Sequence, residues 1–460
     1  MLKRQEGYLL KHIHEKTYLL PFGQNIADQK RGILLNETGE FLWNALEIPQ
    51  ELSSLEAQLA SYYQLDSTYL EELHADTEAF IQQLLSLGIL REEFHCTKKN
   101  YCRTMQIADI LIHFYGSKKS VPKQFAPFFI EDVPSRADSD TDFHTAVNSS
   151  EQKTDTTPLT DANLSEQRTD TTPLTNTNLS EQRTDNTPLP VSYKSKHPEN
   201  LAVPCTSIHS VLSEMEIEIF STTPLRHQNG KVLLRNQDMT IHEWDEGYIV
   251  FFPEFKNISE TYITKDGRYV RIHCNGVFNK TELDNIFHAI RLFFLYHAQL
   301  RGYFALHSAS ILYRDKAWLF SGHSGMGKST HTALWHELLQ TPYLNGDLNL
   351  IGIKNGIPVI YGIPWCGTSE IFTTECHELG GIVLLGRDIT DHVEDLESDE
   401  KVLRVMQRMI SPSWTGEMME KNLGFSEKLV DLIQVWNLYC TKNPSAVYTI
   451  KEEIDKIYSK

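Results

Sequence analysis

Sixteen residues, FSGHSGMGKSTHTALW from Phe320 to Trp335, restrict the fold of this chain more than any other stretch. They complete the pattern G-x-x-x-x-G-K-S at Gly322, Gly327, Lys328 and Ser329. The pattern works only where a buried strand ends and a helix starts, because the loop must turn successive backbone N–H groups toward an anion at the positive end of the helix. Both flanks are present. KAWLF before it reads as a buried strand, and STHTALWHELL after it puts Thr330, Leu334 and Leu338 on one helical face. Gly325 and Gly327 leave the backbone free to approach a β-phosphate, with Ser324, Met326 and Thr330 completing the nucleotide-binding loop. Lys328 sets an ammonium on the phosphates, and the Ser329 hydroxyl ligates Mg2+. The expected ligand is ATP with Mg2+.

Two residues outside the loop bear on what happens to the phosphate. YLNGDLNLIGI is a strand pattern interrupted by Asn345, Gly346 and Asp347. A carboxylate at a strand tip about twenty residues after such a loop stands where these folds put a metal ligand or a base. His307, in ALHSAS, lies 21 residues before Lys328. On its own it reads more readily as an ordinary strand-end histidine than as a catalytic group.

Composition narrows the setting. With 460 residues, 40% hydrophobic and 23% charged, the chain has material for two or three domains with real cores. A net charge of −18 argues against nucleic acid as the main partner, since phosphate-backbone binding needs a positive surface. The opening MLKRQEGYLLKHIHEK has no apolar run of signal-peptide length, and LFFLYHAQL is far too short to span a bilayer. A cytoplasmic protein without a membrane partner is expected. Seven cysteines without a CxxC pair suggest reduced, structural thiols and neither a zinc site nor a disulfide framework.

Between about Glu131 and Pro204 the chain becomes rich in Ser, Thr, Asp, Asn, Gln and Pro, and a 15-residue repeat appears: NSSEQKTDTTPL, NLSEQRTDTTPL, NLSEQRTDNTPL. Each copy offers only one or two aliphatic residues, too few to offset the entropy of ordering it, so a disordered insert is expected over 131–204. Before it, residues 1–92 read as a hairpin (YLLKHI, TYLLPF) followed by helices (ETGEFLWNAL, SLEAQLASYY, DTEAFIQQLLSLGIL), the last ending at Gly88. Within 101–130, MQIADILIHFYG alternates like a single strand whose partner lies beyond the insert. Across 205–460, EMEIEIF, YIVFF and RYVRIHC read as an antiparallel sheet, with Asp266-Gly267 as a tight turn. TELDNIFHAIRLFFLYHAQL reads as a helix, with Thr281 and Asp284 in capping-box spacing and Leu283, Ile286, Phe287, Ile290 and Phe294 on one stripe.

The run from Leu306 to Asp347 resembles the HPr kinase/phosphorylase superfamily, most closely its smaller bacterial relatives related to phosphoenolpyruvate carboxykinase. Those relatives carry an HS strand, an SGxSGxGKSTHxxLW loop, an NxD strand tip and a G-x-PW-x-G turn. This chain has all four, the last as GIPWCG from Gly362 to Gly367. The resemblance spans Gln106–Tyr115 and residues 205–445. It implies that His307 binds phosphate or assists proton movement, and that Asp347 is the general base toward a serine hydroxyl. The family has consecutive aspartates at the strand tip; Gly346 stands at one of them here, which puts the reverse, dephosphorylating reaction in question. Glu370 is the closest positional match to the family's second metal-binding carboxylate, with Glu375 as its competitor.

The N-terminal 5–92 is similar to PqqD-like domains, winged-helix modules that recognise leader peptides of ribosomally made, modified peptides, on Gly32, Leu35, Asn36, Gly39 and Trp43. Such modules capture an extended peptide by strand addition. Together the resemblances imply an α/β chain, α+β overall, with a winged-helix PqqD-like domain, a disordered repeat insert and an HPr-kinase/PEP-carboxykinase-like P-loop domain. The activity implied is an ATP-dependent serine or threonine kinase acting on a precursor peptide gripped by its leader, as in lasso-peptide clusters. An HPr-type or small-molecule kinase, and a nucleotide-dependent peptide chaperone without phosphotransfer, are the competing readings. The hexameric habit of HPr kinases leaves room for a homo-oligomer.

Overall fold

The computed structural model describes residues 1–93, 96–130, 212–222, 230–244 and 246–459. The expected disordered insert over 131–204, with its repeats, lies outside the described residues. The α/β architecture is present throughout the rest, and among the described residues no helix is long and apolar enough to cross a membrane. Cys96, Cys102, Cys274, Cys366 and Cys440 are free thiols. Cys376 is disulfide-bonded, a departure from the expectation of thiols throughout.

The N-terminal hairpin pairs Tyr8–Ile13 with Lys16–Pro21, and Ile33–Leu35 adds a third antiparallel strand. Helices Glu37–Ala45, Leu52–Tyr62 and Leu70–Ser86 follow. Gly88, at φ 67°, takes the left-handed turn that ends the last of them. The chain ends of this part meet, Leu2–Arg4 pairing antiparallel with Leu90–Glu92. Its core gathers Leu19, Leu42, Trp43, Leu55, Ile81 and Leu84, all buried. Local chemistry fixes the entry to the first long helix: Asn36 Oδ1 accepts from Gly39 N at 2.8 Å, and a Cβ on Gly39 would lie 3.1 Å from both that oxygen and the Phe80 ring.

A mixed eight-stranded sheet comes next in the chain. Met105–Gly116 is not the one strand its alternation suggests: Tyr101–Ile107 and Ile110–Gly116 form an antiparallel hairpin around Ala108, at φ 52°. Its second strand does pair beyond the insert, in parallel with Ser213–Phe220, which pairs in parallel with Tyr269–Cys274. The sheet is therefore mixed rather than antiparallel. Ile258–Thr264, Gly247–Phe251, Thr240–Trp244 and Lys231–Arg235 complete it antiparallel, and Gly267 at φ 71° makes the expected turn.

Helix Lys280–Leu300 is capped by Asn279, whose side chain accepts from Glu282 N, and not by Thr281. Its Ile286, Phe287, Ile290, Phe293 and Phe294 share one apolar cluster with Ile112, Ile217 and Ile272 of the eight-stranded sheet and with Leu348, Leu350 and Trp365. Full burial of each such side chain contributes about 1.5–3 kcal/mol, so tertiary packing more than intrinsic propensity holds this helix.

Beyond it lies a second sheet. Phe304–Tyr313 pairs antiparallel with both Lys316–Ser321 and Leu348–Lys354; Ile357–Tyr361 and Cys376–Arg387 continue the order. Residues 317–321 also pair in parallel with 379–384, so five strands run round into a ring. Gln434–Cys440 extends it from Cys376–Arg387 in parallel. The glycine-rich loop leaves the end of Lys316–Ser321 and enters helix Lys328–Leu339, giving the strand, loop and helix that the motif requires.

Candidate functional site

The loop has the backbone its glycines permit. Gly325 sits at φ 74° and Gly327 at φ 103°, conformations that L side chains rarely adopt, and a Cβ built on either would meet nothing within 4 Å. A concave, empty turn thus faces the start of helix Lys328–Leu339. Ser324, Ser329 and Thr330 are exposed and Met326 is half-buried. Arg387 braces the loop from outside by donating to Gly325 O. Lys328 is only 8% exposed.

Strand register brings the distant residues to it. His307 lies opposite Leu348, and Ser308 N donates to Asp347 O at 2.9 Å, so the strand tip carrying Asp347 stands beside His307. On the other side Ser308 pairs with Ser321, the last residue before the loop. The result is a row: Lys328 Nζ lies 2.8 Å from His307 Nε2 and 3.2 Å from Gly322 O, and His307 Nδ1 lies 3.3 Å from Asp347 Oδ1.

Charge fixes the tautomer within that row. Burial, then the Lys328 ammonium, hold His307 below its ordinary value, against the pull of Asp347. A neutral imidazole accepts from Lys328 at Nε2 and so carries its proton at Nδ1, toward the carboxylate. Burial likewise lowers Lys328, partly opposed by Asp347. Arg408 is a neighbour the sequence did not single out: its carbonyl accepts from His307 N at 3.0 Å, and its Nη1 lies 3.3 Å from His323 Nδ1 in the loop. A residue so far along the chain carries no local signal of this placement.

Asp347 is backed by the GIPWCG turn, for a Cβ on Gly367 would lie 3.1 Å from Asp347 Oδ2. Trp365 of that turn donates from Nε1 to Phe287 O at 2.9 Å, anchoring it to the central helix. The two candidate second carboxylates part company. Glu370, exposed and at φ 54°, acts with Asp347 on the Cys366 thiol, which burial first of all pushes up. Glu375 is directed to His377, 3.9 Å away. No three His, Cys, Asp or Glu side chains cluster as a ready-made metal site among the described residues. The groups whose chemistry would suit a hard cation are the Ser329 hydroxyl, which has no hydrogen-bond partner among the described residues, and the one-third-exposed Asp347 carboxylate.

Residues 26–90 match the family described as coenzyme PQQ synthesis protein D (PqqD). The N-terminal domain is PqqD-like. Among solved structures, one similar chain is TbiB1 in complex with the TbiA(beta) leader peptide, 17% identical, covering 20% of this chain and 99% of that one with a TM-score of 0.17. Another is the Hpr(Ser) kinase/phosphatase from Coxiella burnetii, 12% identical, covering 20% of this chain and 64% of that one with a TM-score of 0.16. No curated protein matches the sequence. The PqqD-like domain is tied to the eight-stranded sheet by a buried ion pair, Arg271 Nη1 to Glu92 Oε1 at 2.7 Å, with the side chains 10% and 7% exposed.

Proposed function

We propose that the protein is an ATP-dependent serine or threonine kinase whose acceptor is a ribosomally made precursor peptide held through its leader by the PqqD-like domain. The observation that carries this reading is the row Lys328, His307, Asp347 beside the open glycine turn. A switch or motor needs the loop and its cation; a carboxylate directed from a second strand toward the same spot suits a reaction that must also remove a proton from an acceptor. The matched PqqD family supports a peptide as the source of that acceptor.

In this reading the Asp347 carboxylate takes the hydroxyl proton as the acceptor oxygen bonds to the γ-phosphorus. The bond from that phosphorus to the β,γ-bridging oxygen breaks, and ADP leaves with the electron pair. Lys328 transfers its ammonium from His307 Nε2 to the phosphate oxygens, and His307, neutral and tied to Asp347, holds the carboxylate in line. Mg2+, when bound, would be held by the Ser329 hydroxyl, with Glu370 as the proposed carboxylate ligand, and would supply neutralisation of the phosphate charge. Holding the leader raises the local concentration of the acceptor, so the transfer site itself need not bind it tightly.

The test is radiolabelled ATP with candidate precursor peptides and the full chain. Phosphopeptide is expected from the wild type, at least about a hundredfold less from Asp347→Asn with nucleotide binding retained, and none from Lys328→Ala with nucleotide binding lost. Excess free leader should suppress transfer. Nucleotide binding without phosphopeptide would instead favour a nucleotide-dependent peptide-binding module, and modification of an HPr-like protein unaffected by leader would favour the HPr-type reading.

A further inference from the structure

Arg291 lies in the middle of the apolar helix Lys280–Leu300, half-buried, and has no hydrogen bond and no ion pair among the described residues. Its position is not arbitrary. Four residues after Phe287 and three before Phe294, it shares their helical face. Both rings pack on Trp365, with centroids 5.6 and 5.2 Å away. Trp365 belongs to the turn whose Gly367 backs Asp347. Arg291 therefore lies on the side of the helix that packs on this turn. Burial lowers it, and the anions that act on it are Asp347 and, secondly, Asp238 in the exposed turn between two strands of the eight-stranded sheet. Neither carboxylate comes within the 4.0 Å of an ion pair.

A half-buried guanidinium without a partner is costly, and arginines drawn into folded proteins are mostly paired. Here both candidate partners are near enough to act at long range and too far to bond. The missing anion must then come from outside the chain. A planar fork of N–H donors matches the oxygens of a phosphoryl group two at a time, whereas an ammonium does not. We infer that Arg291 is the acceptor-side phosphoryl-binding residue of the site, gripping the phosphoryl group across from Lys328 during transfer and the phosphomonoester it becomes. This rests on the phosphotransfer reading, and it divides the labour: the loop and Lys328 hold the donor, Arg291 the group once it has moved toward the acceptor.

Orthovanadate with MgADP, a mimic of the phosphoryl group in flight, is the probe, titrated into the full chain. Arg291→Met is expected to weaken vanadate binding about tenfold or more while MgADP affinity stays within about twofold, and Arg291→Lys to fall between. Unchanged vanadate affinity in a folded Arg291→Met protein would overturn the inference. Should that variant not fold, phenylglyoxal labelling of the wild type, mapped by mass spectrometry, decides. MgADP with vanadate, and not MgADP alone, should slow the adduct at Arg291; equal rates would sink the idea. If the wild type binds no MgADP, or Lys328→Ala binds it equally well, the phosphotransfer reading itself fails and takes this inference with it, an outcome recognisable without any Arg291 variant.

Discussion

Gly346 bears no side chain because there is no room for one. A Cβ there would meet Ser369 Oγ at 2.0 Å and Ser369 Cβ at 2.7 Å. Ser369 in turn donates to Cys366 O at 2.7 Å, closing the turn that backs Asp347. The single carboxylate at this strand tip is thus built into the packing, and an aspartate at 346 would displace the support of its neighbour. Gly346→Ala is expected to cost about 1–3 kcal/mol by overpacking, read as a lowered thermal midpoint, and to lower phosphopeptide formation without loss of nucleotide binding. Wild-type activity from Gly346→Ala would show that the turn gives way freely. His307 allows a second test. Held below its ordinary 6.5, it stays neutral at pH 7 and gains a proton only as pH falls below that value, when imidazolium would face the Lys328 ammonium. Replacing it with Gln keeps a group that can accept from Lys328 and removes the titration, so the acid limb of kcat/KM should move to lower pH. Lys328, His307 and Asp347 were legible because strand register converts their spacing into proximity. Arg291 was not, since an arginine in an apolar helix reads as a solvated charge until the fold shows no partner for it.

Periodicity carried the elements well where burial follows the chain's own period. The N-terminal hairpin, the helix ending at Gly88 and the apolar stripe of Lys280–Leu300 all follow it. It failed at Ala108, because the turn residues Ala108 and Asp109 give no glycine or asparagine signal. Tertiary bonds stabilise that turn instead, Tyr303 Oη donating to Asp109 Oδ2 at 2.9 Å and Lys354 Nζ to Asp109 Oδ1 at 3.0 Å. Parallel pairing across the insert was equally illegible, as strand direction leaves no mark on alternation. At this scale the junction between the PqqD-like domain and the sheet is open to test. Burial disfavours the Arg271 charge, and Glu92 first, with Glu260 behind it, more than offsets this, so Glu92→Gln removes the foremost anionic partner of a buried cation. Such a loss costs about 3–5 kcal/mol. The neighbouring pair Lys98–Glu216, at 2.8 Å but with Lys98 65% exposed, should cost no more than about 1 kcal/mol when Lys98→Gln breaks it. Urea midpoints of the two variants, compared directly, check the contrast; similar losses would mean that burial does not set the strength of the junction.

Taken over the whole molecule, acid should act through two buried imidazoles on different helices. His297, on the central helix, bonds Gly267 O through Nδ1 at 2.8 Å and has Ser213 Oγ 2.8 Å from Nε2. His331, in the helix that follows the glycine-rich loop, accepts from Trp335 Nε1 at 3.2 Å. Burial pushes each down to about 4, so both are neutral in the fold and titrate near 6.5 once unfolded. Below pH 6.5 the unfolded chain binds protons that the fold refuses, and stability is lost as pH falls from 6.5 toward 4, by a few kcal/mol for each, about 1.4 kcal/mol per pH unit. Ion-paired carboxylates act later. Burial pushes Asp455 up, but hydrogen bonds from Lys451, Arg314 and Tyr313 outweigh it and hold it at about 2, so its contribution survives until pH falls below its ordinary 3.8. The net charge of −18 works the other way, since mild acid relieves self-repulsion. The sign of the change between pH 7.5 and 5 therefore decides which effect governs. A falling urea midpoint is expected for the wild type, with a flatter response for the variant carrying both His297→Gln and His331→Gln, even if that variant is less stable at pH 7.5. A midpoint that rises on acidification, or a fall of equal size in the double variant, would assign the response to surface charge instead.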